Sequence, residues 1–333
     1  MYSGGMPAST KLSSAREVQK GLKALGYYSG DIDEDLSGED FRESLKRFQV
    51  RTGIAKDGLY GRQTEAKLKP LLGTLVSYGP STGLVHLNPW FLTYYYAANE
   101  KDYPGTKSIP VLSPRGEVLA RVTPAMFAAM ALEGTGKMDD GRLLNVATNP
   151  SYLPVDSKTF QPLYDIANRN GWIPNKPGYA GVGLSADHSR VVRARTFSRK
   201  DPGPKGYGVL RGVPLDPYQT LAADIGVLKR HDSRFKGKGG VCPPLTRVFI
   251  LEFAGKKMPA TEEHPDGWVH DGWFTVNDTG GGIFGAHFDV FTGSKDLVKD
   301  LGFRFPERAH VWWDGMESRL PGGTDYDYGL QGH

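Results

Sequence analysis

The hydrophobic residues of this chain follow one period up to residue 72 and a different one beyond it, and that switch limits the folds open to it. In the first part they recur at helical spacing: Val18, Leu22 and Leu25, then Phe41, Leu45 and Phe48, then Leu68, Leu71 and Leu72. Ser14-Ala15-Arg16-Glu17 has the form of a capping box, Gly26 stops the first helix, and Ser37 is the expected cap of the second. In the second part the apolar residues come in short aromatic or β-branched runs bounded by Gly, Pro, Asn or Asp. The runs are Trp90 to Tyr96, Val248 to Phe253, Trp273 to Val276, Phe288 to Phe291 and His310 to Trp313, and they read as strands. One helix is expected among them, capped by Thr123, with Pro124 at its first position and Gly134 at its end; a second is expected over 159–170. Strands and helices do not alternate, so a mainly-β barrel with a few helices is expected rather than a parallel α/β sheet. Gly79-Pro80-Ser81-Thr82-Gly83 falls between the two patterns and predicts a linker over 73–84. The division is then a three-helix module over 12–72, a body over 85–315 and a Gly- and Asp-rich tail over 316–333.

Charge and composition exclude several classes. A length of 333 residues suits two domains. The 43 glycines and 23 prolines favour a turn-rich body over a helix bundle. The net charge of +4 is modest, and no Lys/Arg block is dense enough to argue for nucleic acid. Cys242 is the only cysteine, which rules out a disulfide within the chain and leaves a bridge between chains open. No stretch reaches the roughly 18 apolar residues of a membrane-spanning helix. The first residues, Met1 to Pro7, lack the charged and apolar regions of a secretory leader.

The helical segment repeats internally: Gln19, Gly26, Asp33 and Gly38 match Gln49, Gly53, Asp57 and Gly61 in order. Two half-repeats make one small bundle, since a solenoid needs three or more units. Asp31, Asp33 and Asp35 do not form a calcium loop of the EF-hand kind, because Leu36 and Arg42 stand where that loop needs Gly and Glu. On Val18-Gln19, Leu22, Leu25-Gly26-Tyr27, Gly30-Asp31-Ile32-Asp33, Phe48-Gln49, Gly53, Asp57-Gly58, Gly61 and Thr64, residues 17–72 resemble the peptidoglycan-binding domain 1 family, a three-helix module. The first half departs from that pattern, with Glu34-Asp35-Leu36-Ser37-Gly38 in place of a short Gly-rich turn.

The densest run of unusual residues extends from Trp273 to Phe291 and reads as strand, glycine turn, strand. Asp278 closes the first strand and Asp289 lies inside the second. Alternate strand residues share a face, so His287, Asp289 and Phe291 point one way and Phe288 and Val290 the other. A mid-strand carboxylate among aromatic rings is costly unless it is hydrogen-bonded or protonated, and a protonated acid is what glycosidic cleavage needs. Gly280, Gly281 and Gly282 let a ligand or another backbone approach closely. A plain hairpin with a structural Asp is the other reading of the same residues.

Three motifs add to this: Thr220-Leu221-Ala222-Ala223-Asp224, Asp278-Thr279-Gly280-Gly281 and His287-Phe288-Asp289-Val290-Phe291. On them, residues 214–293 resemble the three-aspartate (3D) domain, related to the catalytic domain of membrane-bound lytic transglycosylase A. The resemblance implies a double-psi β-barrel, with its core over about 210–315. It also implies cleavage of the MurNAc–GlcNAc bond with formation of a 1,6-anhydro sugar. Asp289 would be the catalytic acid, with Asp278 and Asp224 as its catalytic companions. Leu132-Glu133-Gly134-Thr135-Gly136 is similar to the glycine-rich segment of shorter relatives. Glu133, Thr279, Gly280, Gly281 and His287 are the expected substrate contacts. Residues 85–210 receive no role.

The expected partner is the peptidoglycan glycan strand, bound by the helical module and cut by the barrel, with no cofactor. Two alternatives stay open: a wall-binding protein that cuts nothing, and a zinc-dependent amidase or peptidase. His264, His270, His287 and His310 lie near acidic residues but form no tight ligand pair such as His-Glu-x-x-His, so no metal is expected. The expected setting is the cell wall, reached as a phage lysis or virion protein with an endolysin-like arrangement, or as an exported protein whose leader has been trimmed.

Overall fold

The computed structural model describes residues 13–79, 85–146, 152–154, 157–169, 190–192, 194–197, 215–223, 247–261, 264–278, 283, 287–300 and 308–313. Asp224, Cys242, Thr279, Gly280, Gly281 and the tail over 316–333 lie outside the described residues.

The helical module consists of α1 (Ala15–Ala24), α2 (Glu39–Arg51) and α3 (Arg62–Tyr78). Both arms of the capping box at Ser14 and Glu17 are formed. The second helix is capped by the backbone of Gly38 instead of Ser37, whose hydroxyl and N–H both donate to Asp35. The repeat has a physical basis in one buried glutamine per half. Gln19 donates to Asp33 Oδ1 at 2.6 Å and accepts from the N–H of Glu34; Gln49 donates to Asp57 Oδ1 at 2.7 Å and accepts from the N–H of Gly58. Gly38 and Gly61 then both cap the helix that follows. The departure in the first half leaves this clamp intact. It puts Glu34, at φ 67°, in the left-handed backbone that Gly58 occupies at φ 69° in the second half, a conformation that ordinarily favours glycine. The expected linker over 73–84 is shorter than the sequence indicates, because α3 continues through Gly73 to Tyr78.

Beyond the module the strands, in chain order, are β1 (Val85–Tyr95), β2 (Ala98–Asn99), β3 (Ile109–Leu112), β4 (Val118–Val122), β5 (Thr135–Lys137), β6 (Leu143–Val146), β7 (Tyr152–Pro154), β8 (Arg190–Val192), β9 (Ala194–Phe197), β10 (Thr220–Ala223), β11 (Arg247–Ile250), β12 (Lys257–Met258), β13 (Trp268–Val269), β14 (Trp273–Asp278), β15 (His287–Phe291) and β16 (Arg308–Trp313). Six of them close into a barrel in the order β1-β15-β10-β14-β11-β16. The pairs β1/β15 and β10/β14 are parallel and the remaining pairs antiparallel. This is an interlocked order, unlike a meander, and closure leaves no edge strand unpaired. The inner face carries Leu92, Leu221, Val248, Ile250, Phe274, Val276, Val290 and Val311, with Trp90 stacked on Phe288 at 4.2 Å. The barrel does not lie wholly within 210–315: β1 supplies one of its strands from 85–95.

Between β1 and β10 the chain builds a second lobe. It holds the sheet β2-β5-β6-β9, the hairpin β3/β4, the antiparallel pair β7/β8, and the helices α4 (Pro124–Glu133) and α5 (Ser157–Arg169), around a core of its own that includes Ile109, Val122, Met126, Phe127, Leu144 and Phe160. Thr123 caps α4 through the N–H of Met126, and Gly134 ends it at φ 82°, as the sequence predicts. A short helix, α6 (Lys295–Asp300), follows β15.

The module packs directly against the barrel. Val18, Leu22, Tyr27, Phe41, Leu45 and Phe48 share one cluster with Phe249, Leu251, Ala254 and Trp312. A polar chain crosses the seam: Tyr27 Oη lies 2.9 Å from His310 Nε2, and His310 Nδ1 lies 2.6 Å from Glu252. None of the described helices is long and apolar enough to cross a membrane.

Candidate functional site

The predicted alternation of β15 holds. Phe288 and Val290 fill the barrel, while His287, Asp289 and Phe291 face outward. Strand pairing then sets a row of side chains on the outer face. Asp289 is register partner to Thr93 on β1 and to Ala222 on β10, and Ala222 is in turn partner to Asp278 on β14. The two aspartates thus flank one alanine, two strand spacings apart, or roughly 9–10 Å of backbone. A residue larger than alanine at 222 would fill the space between them.

Asp278 reaches that row through a bulge. Val276 pairs with Leu221 and faces the barrel interior; strict alternation would turn residue 278 inward as well. The register shifts between Leu221 and Ala222, with one extra residue on β14, and Asp278 comes out opposite Ala222. Re-aiming a side chain is what bulges do beside working sites. There Asp278 is buried and accepts a hydrogen bond from Tyr95 Oη at 3.0 Å. Burial and the neighbouring carboxylates hold the Tyr95 phenol well above its usual pKa, so it stays a donor.

Asp289 is the most perturbed acid of the row. Burial pushes its pKa up to about 7, the Asp278 charge adds to the rise, and a hydrogen bond from Thr93 opposes it. Its Oδ1 is shielded from solvent and has no hydrogen-bond partner among the described residues. A buried polar atom left unsatisfied costs free energy, which points to a group kept for something other than folding. Thr93 Oγ1 also lies 2.7 Å from His287 Nε2. Burial lowers His287 to about 4, so the imidazole is neutral at ordinary pH. With its proton on Nε2 it donates to Thr93, leaving the threonine hydroxyl to donate to Asp289. Edge contact with Phe91 at 4.9 Å fixes the ring.

Glu133, at the end of α4, brings the second lobe to the site. Burial raises it to about 7, the Asp289 charge adds to that, and Lys295 opposes it; its Oε2 accepts from the N–H of Tyr96 at 3.3 Å. A cleft of about 720 Å³ opens between lobe and barrel, lined by Ala97, Asn99, Lys101, Lys137, Leu215 and Phe291 among others. Phe291 stands two residues from Asp289 on the same strand face, roughly 7 Å along the strand, so the cleft lies next to the acid row, whose carboxyls are not themselves in its lining.

The structure therefore brings together Asp289, Asp278, His287 and Glu133 of the expected residues. Thr93 and Tyr95 belong to the site and were not expected. The strand period alone puts them on one face of β1, but their partners lie 194 and 183 residues away. The other histidines named with the zinc alternative have structural partners: His310 between Tyr27 and Glu252, His270 with Tyr218 and Gly272, and His264 with Gln219. No group of three or more His, Cys, Asp or Glu suited to a metal occurs among the described residues.

Residues 12–68 match the family described as "Putative peptidoglycan binding domain". Over 68 residues the chain is 38% identical to the N-acetylmuramoyl-L-alanine amidase CwlL of Bacillus licheniformis; the match covers 19% of this chain and 19% of that protein. The chain thus spans about a fifth of that relative's length. Among solved structures it is similar to E. coli MltA with bound chitohexaose, at 13% identity and a TM-score of 0.39, covering 95% of this chain and 93% of the other. It is also similar to MltA from Escherichia coli described as a unique lytic transglycosylase fold, at 14% identity and a TM-score of 0.34, covering 96% and 93%. The chain carries a peptidoglycan-binding domain at its N-terminus, ahead of a two-lobed β-barrel body.

Proposed function

We propose that this protein is a peptidoglycan lytic transglycosylase, held on its substrate by the helical module. The observation that carries the reading is the state of Asp289. It is a desolvated carboxyl, protonated up to about pH 7, with one oxygen unpartnered, set in a row with a second carboxyl beside an open cleft. The described residues of the three motifs that resemble the 3D domain, Thr220–Ala223, Asp278 and His287–Phe291, lie on β10, β14 and β15.

In this reading the glycan strand lies along the cleft between lobe and barrel. Asp289 gives its proton to the glycosidic oxygen as the bond from C1 of MurNAc to that oxygen breaks. The Asp289 carboxylate then takes the proton from the C6 hydroxyl of the same MurNAc, whose oxygen bonds to C1. The products are a 1,6-anhydro end and a free GlcNAc hydroxyl, and the acid is restored. Asp278, fixed by Tyr95, offers negative charge to the oxocarbenium centre. Thr93 and His287 hold the Asp289 carboxyl in place. A carboxyl near pKa 7 suits both steps, since it neither holds nor releases its proton too strongly.

The test is the mass of soluble products from purified sacculi. Anhydro-muropeptides are expected from the parent chain and none from Asp289→Asn, with sacculus binding retained by both. Reducing ends would indicate a hydrolase, and intact glycan would leave a wall-binding protein.

A further inference from the structure

The outer face of β14 carries a second cavity at the opposite end from Asp278. It measures about 310 Å³ and is lined by Gln219, Arg247, Trp268, Asp271, Trp273 and Thr275 among others. Trp273 and Asp278 are five residues apart along the strand, which is roughly 16 Å, so this cavity is separate from the acid row. Trp273 and Thr275 alternate with the inward-facing Phe274 and Val276 and so point outward.

The lining has the chemistry of a site for a ligand with an apolar face and an anionic group. Trp268 and Trp273 supply aromatic surface. The Arg247 guanidinium lies 4.3 Å above the Trp273 ring. That stacking occupies the face of the guanidinium and leaves its in-plane N–H donors for a planar anion. Arg247 is exposed and makes no ion pair with a described carboxylate, and across β11 and β14 it is the register partner of Thr275. Asp271 is the opposing charge in the lining, and its Oδ1 is already engaged by the N–H of Trp273. The Gln219 amide is oriented by His264 at 3.1 Å, and His264 lies against Trp268 at 4.4 Å. His270, in the floor, is buried, and burial lowers its pKa, so it adds no positive charge there. Trp273 also packs against the cluster shared with the helical module, which places the cavity beside the seam between the two domains.

We propose that this cavity is a second binding site, for a muramyl residue carrying a carboxylate. The pyranose ring would lie against the tryptophans, and the lactyl-linked peptide carboxylate would be received by Arg247. The ligand class rests on the reading that peptidoglycan is the polymer. On such a strand the site would grip a flanking muramyl unit while Asp289 acts on another.

The test uses the full chain carrying Asp289→Asn, so that nothing is cut, with muramyl dipeptide as the charged probe and chitotetraose as the neutral one. Titration is followed by calorimetry and tryptophan fluorescence. Adding Arg247→Met, which keeps a side chain on the exposed Trp273 face, is expected to weaken muramyl dipeptide binding roughly tenfold or more, the range of a lost charge-assisted hydrogen bond. Chitotetraose binding is expected to be unchanged, and Arg247→Lys is expected to recover little because it lacks the planar fork. The proposal is overturned if muramyl dipeptide fails to bind, if its affinity ignores Arg247→Met, or if both probes weaken equally. Product release by the parent chain is measured separately. Arg247-dependent binding without cutting would defeat only the lyase reading, and cutting without Arg247-dependent binding would defeat only this one.

Discussion

A carboxyl held near pKa 7 has consequences for both rate and stability. On the proposed mechanism the acid form of Asp289 is the working form, so activity should fall on the alkaline side with an apparent pKa of about 7. The sign for stability follows from proton counting. Asp289 and Glu133 both rise to about 7 in the fold, from ordinary values of 3.8 and 4.5. Between about pH 4 and 7 the folded state therefore holds more protons than the unfolded one, and stability falls as pH rises through that window. Asp289→Asn removes one of the two contributions. Its melting temperature at pH 8 should exceed the parent's, the difference should vanish near pH 4, and turnover should be undetectable. A parent and variant that lose stability equally between pH 4 and 8 would refute the buried-acid picture. Glu133→Gln probes the neighbouring lobe: it keeps an acceptor for the Tyr96 N–H and removes the charge. Because the interaction with Asp289 is mutual, the alkaline limb of the rate profile should move to lower pH. An unmoved limb would separate Glu133 from the acid. At this scale the sequence was legible where strand period governs, as for His287, Asp289 and Phe291. It was silent where partners come from remote strands: nothing local to Thr93 indicates that Asp289 is its neighbour.

At the scale of elements, the bulge on β14 decides which way Asp278 points. With residue 277 kept and the bulge lost, strict alternation would carry the carboxylate into the barrel core beside Leu221 and Val276. Inserting one residue between Leu221 and Ala222 gives residue 277 a partner and removes the bulge. Burying an uncompensated carboxylate costs several kcal/mol, so the insertion should lower the melting temperature far more than Asp278→Ala does. Combining the two changes should recover part of that loss without restoring activity, a coupling that a double-mutant cycle measures. Additive losses would mean that the bulge does not control the aspartate. Helices were readable because their signals are local: the capping box at Ser14, the Thr123 cap and the Gly134 stop all stand where the sequence places them. The bulge was not readable, because Trp273 to Asp278 alternates normally until it is paired with Leu221 and Ala222. The end of α3 was misjudged for a related reason. Gly73 and the Gly79-Pro80 cluster look like a linker, but Leu72, Leu75 and Tyr78 have the module and barrel to pack against, and packing overrides weak propensity.

The two hydrophobic periods suggest two separable domains, with a chain starting near Leu84 still cutting soluble strands. The packing argues against that separation. Phe249, Leu251 and Trp312 are buried in a cluster made mostly of module residues. A wholly exposed side chain of this size costs about 1.5–3 kcal/mol, and three of them amount to several kcal/mol against a typical total stability of about 5–15 kcal/mol. Removal of the module also takes Tyr27 from His310 and opens the His310–Glu252 pair to water. The module lies on the β11/β16 side of the barrel, away from Asp289, so on the proposed mechanism it would support cutting through the fold alone. The parent chain should therefore melt in one transition, and a chain beginning at Val85 should aggregate or melt many degrees lower, losing activity even on soluble glycan. Tyr27→Phe is the milder version. It leaves the cluster packed but strands the His310 Nε2, at a cost of roughly 1–3 kcal/mol, and should lower the melting temperature by a few degrees with wall binding unchanged. A truncated chain that melts with the parent and cuts soluble strands at the parent rate would restore the picture of two independent domains.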